Sequence, residues 1–167
     1  MKISKKVEEA LNGQINAELL SAYIYLSMAA YFESENLSGF AGWMKRQAEE
    51  EVAHAMKLYN FIHEREGRVT LAAIDGPPTT WDSPRAAFEA AYKHEQHVTS
   101  LIHDLVALAI KENDYATKNM LDWFVNEQVE EEATSSAIVA KMKMAGSQAS
   151  ALLMLDSQLG QRGAGEE

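Results

Sequence analysis

At 167 residues, 47% hydrophobic and 24% charged, the chain has the make-up of one globular domain with enough mass for a continuous core. Its formal net charge of −10 argues against a nucleic-acid partner, whose phosphates require Lys and Arg surfaces, and suits a surface or cavity that collects cations. The absence of cysteine (Cys 0) rules out disulfides and thiolate metal sites, so any metal must be held by oxygen and imidazole ligands.

The N-terminal run Met1-Lys2-Ile3-Ser4-Lys5-Lys6 leads into a charged amphipathic helix without the apolar stretch of a signal peptide. No segment approaches the ~20 apolar residues of a membrane span. The expectation is a cytoplasmic protein with no membrane partner. With only 3 Pro and 9 Gly there is little turn material, which favours a few long helices over many short strands. The first helix is expected from about Ser4 to Glu33, on a seam that steps by three and four: Leu11, Ile15, Glu18, Ala22, Tyr25, Ala29, Phe32. The short linker from Ser34 to Leu37 turns the chain back antiparallel. Ser38 is the expected N-cap of the second helix, and Gly67 its left-handed stop. The seam of that helix is Phe40, Met44, Gln47, Glu51, His54, Leu58, Ile62.

Residues 68–82 lack helical periodicity and contain Gly76-Pro77-Pro78. A connection this long is expected to cross the whole bundle, making the third helix parallel to the second. Ser83-Pro84 reads as N-cap and first helical residue. The third helix carries Phe88, Tyr92, Glu95, Val98, Ile102, Leu105 and Ala109 inward, and Asn113-Asp114 reverses the chain. The fourth runs to about Ala145 with Leu121, Phe124, Gln128, Glu131, Ser135, Ile138 and Met142 on its seam. Gly146 ends it, Ser147 is expected to cap a short fifth helix with Leu152, Leu153 and Leu155, and residues 160–167 read as a frayed tail. The fold expected is all-α: one domain, a four-helix bundle over about 4–145 with one long crossover, and a short fifth helix over about 147–159.

Each long helix places acidic, amide or imidazole groups near its midpoint, on the face meant for burial. They are Glu18, then Glu51 with His54, then Glu95, then Gln128 with Glu131. An unpaired buried carboxylate is costly, and the midpoints of near-parallel rods meet. Taken singly, a buried Glu is usually a paired structural charge and a buried His a satisfied core residue. Six such groups converging at one depth have no common structural explanation, and a pair of metal ions between them supplies one. Glu51 and His54, spaced i, i+3, share one side of a helix, and a mixed nitrogen and oxygen set suits iron, manganese or zinc better than calcium. A second acidic layer, Glu49-Glu50-Glu51 with Glu127 and Glu130-Glu131-Glu132, crowds like charges that a further cation would relieve. The tryptophans Trp43, Trp81 and Trp123 read as packing anchors, and Met28, Met44 and Met56 as core filling. His63, His94, His97 and His103 are expected on outer faces or at contacts.

Gln14-Ile15-Asn16-Ala17-Glu18, Glu50-Glu51-Val52-Ala53-His54-Ala55-Met56-Lys57, His94-Glu95 and Asn126-Glu127-Gln128-Val129-Glu130-Glu131-Glu132 together resemble the non-haem ferritins of the prokaryotic type. The resemblance runs in that family's order and spacing from about Ile3 to Arg162. It implies a ferroxidase centre in which Glu18, Glu51 and His54 hold the first iron, with Glu51 bridging, and Glu95 and Gln128 belong to the second. It further implies a third iron site at Glu50, Glu127, Glu130 and Glu131, and a role for Tyr25 as a nearby electron donor. Fe2+ would be oxidised by O2 or H2O2 and stored as ferric mineral inside a homo-oligomeric cage of 24 subunits. The fourth helix departs from a symmetric di-iron set: Gln128-Val129-Glu130-Glu131 stands where related proteins carry Glu-x-x-His. Haem is not expected, because Val52 stands where the haem-binding relatives have methionine. Two other classes stay open on sequence: a rubrerythrin-type di-iron oxidase, and a non-enzymatic bundle holding a redox-inert ion such as Zn2+.

Overall fold

A computed structural model of the protein, described here for residues 1–161, contains five helices: α1 Lys5–Ser34, α2 Ser38–Glu64, α3 Pro84–Lys111, α4 Tyr115–Ala145 and α5 Ala149–Gly160. No strand occurs among the described residues. The expected frayed tail falls almost wholly on residues outside them. All the seam residues expected on α1, α2 and α4 are buried, and so are those of α3 except the partly buried Tyr92.

The crossover behaves as its length requires. Asn12 holds the carbonyl of Arg68 and the amide of Thr70, Asn16 reaches the carbonyl of Ala73, and Ser27 donates to the carbonyl of Pro78. Ten residues of loop thus advance alongside the fifteen helical residues between Asn12 and Ser27, about 22 Å at ~1.5 Å per residue. The chain emerges at the far end of the bundle, so α3 runs parallel to α2. There Trp81 meets Tyr31 with ring centroids 5.4 Å apart, and the Ser83 side chain caps α3 by accepting from Ala86 N at 3.1 Å.

Helix ends show where local reading falls short. The left-handed residue that closes α2 is Glu66 (φ 55°), not Gly67, and Gly67 N bonds back to Ile62 O at 2.9 Å. Gly67 is needed for a different reason: a Cβ there would lie 2.8 Å from Ile3 Cγ2 and from Glu8 Oε2. Asn36 and Asn113 close α1 and α3 in the same left-handed way, which asparagine tolerates better than glutamate. Ser38 is not a cap but the first residue of α2, and Leu37 before it offers no side-chain acceptor. The cap comes from α5, whose Asp156 Oδ1 accepts from Phe40 N at 2.8 Å. Ser147 likewise does not cap α5, which starts after Gln148 without a side-chain cap.

The core divides into two apolar halves. One gathers Tyr25, Phe32, Phe40, Trp43 and Phe88 with Met142 of α4; the other gathers Leu11, Ile15, Leu58, Ile62, Ile102 and Phe124. On every long helix the boundary between the halves falls at the special polar residues: after Ile15 and before Tyr25, between Ala48 and Ala55, between Ala91 and Val98, between Phe124 and Ile138. A polar layer therefore crosses the middle of the bundle.

Candidate metal centre

Glu18, Glu51, His54, Glu95, Gln128 and Glu131 are all 5% exposed or less. Ligand atoms of Glu18, Glu51 and His54 lie within 4.8 Å of one another. In a folded protein buried polar atoms almost always find partners. Here Glu18 Oε2 and Glu51 Oε2 have none among the described residues, although Glu51 Oε2 stands 3.5 Å from His54 Nδ1. Two orphaned carboxylate oxygens facing an imidazole form a half-built coordination sphere, and their hard oxygen and nitrogen donors suit Fe(II), Fe(III) or Zn2+.

Around these orphans the remaining atoms are tied down. Gln14, one turn before Glu18, donates to Glu18 Oε1 at 2.8 Å. Gln47, one turn before Glu51, donates to Glu131 Oε2 at 2.9 Å. Tyr25 donates its hydroxyl to Glu95 Oε1. Gln128 Nε2 lies 3.2 Å from Glu95 Oε2 and from Thr99 Oγ1, which leaves its carbonyl oxygen as the end able to meet a cation. Gln14, Gln47 and Thr99 are not among the residues expected at the site from sequence. The available signal was their position, four residues from a buried acid and hence on the same helix face.

The electrostatics are those of a site short of positive charge. Burial, then the charge of Glu51, pushes the Glu18 carboxyl well above its ordinary range. Burial, then Glu95, does the same to Glu51. Glu95 is raised by burial, against hydrogen bonds from Tyr25 and Gln128. Burial and then Glu95 lift Glu131 to about 7. Tyr25 is raised in turn, by burial first and then by the Glu95 charge. Each shift says that a negative group lies in low dielectric beside others of its kind.

The expected third-site residues divide. Glu50 and Glu127 line one cavity of about 620 Å³ together with His54, and Glu131 lies inside the bundle beside Gln47. Glu130 is exposed and lines no part of that cavity. The tryptophans also differ from one another. Trp43 is fully buried, whereas Trp123 is 38% exposed and stands edge-on to His54 with ring centroids 5.3 Å apart. Met56, expected in the core, is 44% exposed. His94 is not a free surface residue. Its Nε2 stands 2.7 Å from Ser21 Oγ, and that hydroxyl also lies within hydrogen-bond reach of Ala17 O. Burial, then His97, lowers this imidazole to about 4 and keeps it neutral.

Comparison with known proteins identifies the family of the chain. Residues 8–145 match the family model described as ferritin-like domain. A bacterial non-heme ferritin of Bacteroides fragilis is 48% identical over 160 residues, covering 96% of this chain and 99% of the relative. A bacterial non-heme ferritin of Staphylococcus aureus is 37% identical over 165 residues, 99% of each chain. Among solved structures, an open pore ferritin from the hyperthermophilic archaeon Archaeoglobus fulgidus superposes with a TM-score of 0.94 at 55% identity, covering 95% of this chain and 98% of that one.

Proposed function

Because the chain belongs to the ferritin family, we propose that it stores iron by oxidising Fe(II) at the centre of its bundle and enclosing the ferric product in a cage of identical subunits. The observation that carries the reading is the pair of orphaned buried oxygens on Glu18 and Glu51 beside His54, in a layer that interrupts an otherwise apolar core. Two Fe(II) ions are the substrate. Glu18, Glu51 and His54 hold the first, Glu51 reaches toward the second, and Glu95 with the carbonyl end of Gln128 holds that one. Each ion gives up one electron, and O2 takes the two electrons with two protons and leaves as H2O2; with peroxide as oxidant the product is water. The carboxylates stabilise the harder Fe(III) over Fe(II), and the single neutral amide of Gln128 keeps the second position weak enough for product to leave.

The hydrogen bond from Tyr25 to Glu95 supports a role for Tyr25 as an electron donor beside the centre, its electron going to oxygen when reduction runs past peroxide toward water. Glu50 and Glu127 at the cavity wall would receive a third ion on its way out, and Glu130 from outside and Glu131 from inside the bundle would have to turn toward them to complete that site. A cytoplasmic setting and a shell of 24 copies belong to the same reading. The outward side chains of α5, with Leu153 59% and Met154 74% exposed, are available for contact between copies, while Leu152, Leu155 and Leu159 pack on the subunit's own core.

The test is stopped-flow mixing of metal-free protein with Fe(II) in air, alongside a native mass. A large assembly that oxidises iron rapidly, with the fast phase lost in Glu51→Ala and His54→Ala, is the expected result. Wild-type rates in both variants would mean that oxidation happens elsewhere. A protein that binds Zn2+ but never oxidises iron would be an inert binder instead.

A further inference from the structure

The cavity beside the centre contains a positive charge of the protein's own. Glu50, His54, Asn60, Trp123 and Glu127 bound it, and Lys57 is among its walls. Lys57 Nζ lies 4.3 Å from the centre of the Trp123 ring. The same indole meets the His54 ring edge-on at 5.3 Å and packs perpendicular to Phe124 at 4.9 Å. Trp123 is thus a partition with an ammonium on its outer face and the buried imidazole at its edge. Any cation that reaches His54 from this side shares the cavity with Lys57.

We propose that Lys57 is a resident counter-cation, parked on Trp123, which weakens the binding of metal ions in this cavity and so keeps it a passage to and from His54 rather than a trap. The inference rests on the reading of the centre as an iron site. Without a local positive charge, the carboxylates of Glu50 and Glu127 at the wall, with Glu51 behind His54 at 3.5 Å, would hold a divalent ion for longer than turnover permits. An exposed cation–π contact is weak, so the flexible lysine stem can leave the indole when metal arrives and return when it departs. An arginine or a buried ion pair would be harder to dislodge. Lys57 touches no reacting atom in this account; it sets residence time through charge.

Co2+ is a suitable probe, since it stands in for Fe(II), is stable in air and quenches nearby indoles. Assembled, metal-free protein is titrated with Co2+ while tryptophan emission is followed, and the signal from the cavity is identified as the part absent in Trp123→Phe. In Lys57→Gln, which is one bond shorter and drops the charge, that binding should tighten about tenfold, the size of the repulsion between a divalent ion and a unit charge ~6 Å apart in a water-like medium. Lys5→Gln, the same change in net charge at an exposed site in the first turn of α1, should leave it unmoved. On a second addition of Fe(II), Lys57→Gln should oxidise more slowly than wild type because product lingers. The proposal is overturned if Lys57→Gln binds Co2+ like wild type, or if Lys5→Gln shifts binding as much. Normal iron oxidation by the wild type alongside either result sinks this inference alone; a wild type that neither binds Co2+ nor oxidises iron sinks the functional reading with it.

Discussion

Replacing Glu51 with glutamine should stabilise the metal-free protein at neutral pH while ending iron oxidation. Glu51 is 2% exposed and its Oε2 is without a partner. Burial, then the charge of Glu95, holds its carboxyl well above the ordinary 4.5, with Glu131 and Glu50 adding to the push. Glutamine has nearly the same shape, carries no charge, and brings an N–H that the orphaned Glu18 Oε2 can accept. Leaving such a group unsatisfied costs ~1–3 kcal/mol, so relief of about 2 kcal/mol is a reasonable magnitude. For a chain of this size that corresponds to a rise in Tm of roughly 4–8 °C.

The pH dependence gives the sharper check on the same substitution. A carboxyl raised in the folded state keeps its proton longer there than in the unfolded chain. Its contribution to stability is therefore complete below the unfolded value of 4.5 and is lost as pH rises through the folded value. Glutamine does not titrate, so the gap between Glu51→Gln and wild type should nearly vanish at about pH 4.5 and widen toward about pH 8. Differential scanning calorimetry with chelator present, at matched protein concentration, measures it. A variant that melts below wild type at neutral pH, or a gap indifferent to pH, would refute the claim that this carboxylate is held at a cost until metal arrives.

The same raised carboxyls imply that metal displaces protons. Glu131 titrates at about 7, so Zn2+ affinity should fall between about pH 8 and pH 6 while protons released per ion increase; pH-stat titration against a Glu131→Gln variant reads both. Gly39→Ala should expel α5, because a Cβ there would stand 1.8 Å from Asp156 O, and the loss of the Asp156 cap on Phe40 N adds ~1 kcal/mol; hydrogen exchange confined to α5 and the first turn of α2 would show it, and unchanged protection would contradict the packing described. Glu66→Gly should raise stability by about 1 kcal/mol, since glutamate carries the left-handed strain (φ 55°) that glycine avoids. A thermal melt that moves down would place the strain elsewhere.

The sequence alone determined the helices, their inward faces and the polar layer, because each follows from a repeat of three and four residues that is local to one element. Ile15, Glu18 and Ala22 share a face whatever the rest of the chain does. So do Glu51 and His54, and a charged group in an apolar stripe is visible before any neighbour is known. Tertiary structure decided what depends on segments far apart in the chain. Asp156 caps a helix that begins 118 residues earlier at Ser38, a role no window around either residue could reveal. The left-handed turn falls on Glu66, and Gly67 is held to glycine by Ile3 and Glu8, which a Cβ there would strike. Trp123 packs on Phe124 and also meets both Lys57 and His54, because α2 and α4 bring these side chains together. Periodicity says which side chains turn inward. Only the docking of one helix on another says whether a buried carboxylate oxygen meets a donor, and Oε2 of Glu18 and Oε2 of Glu51 do not.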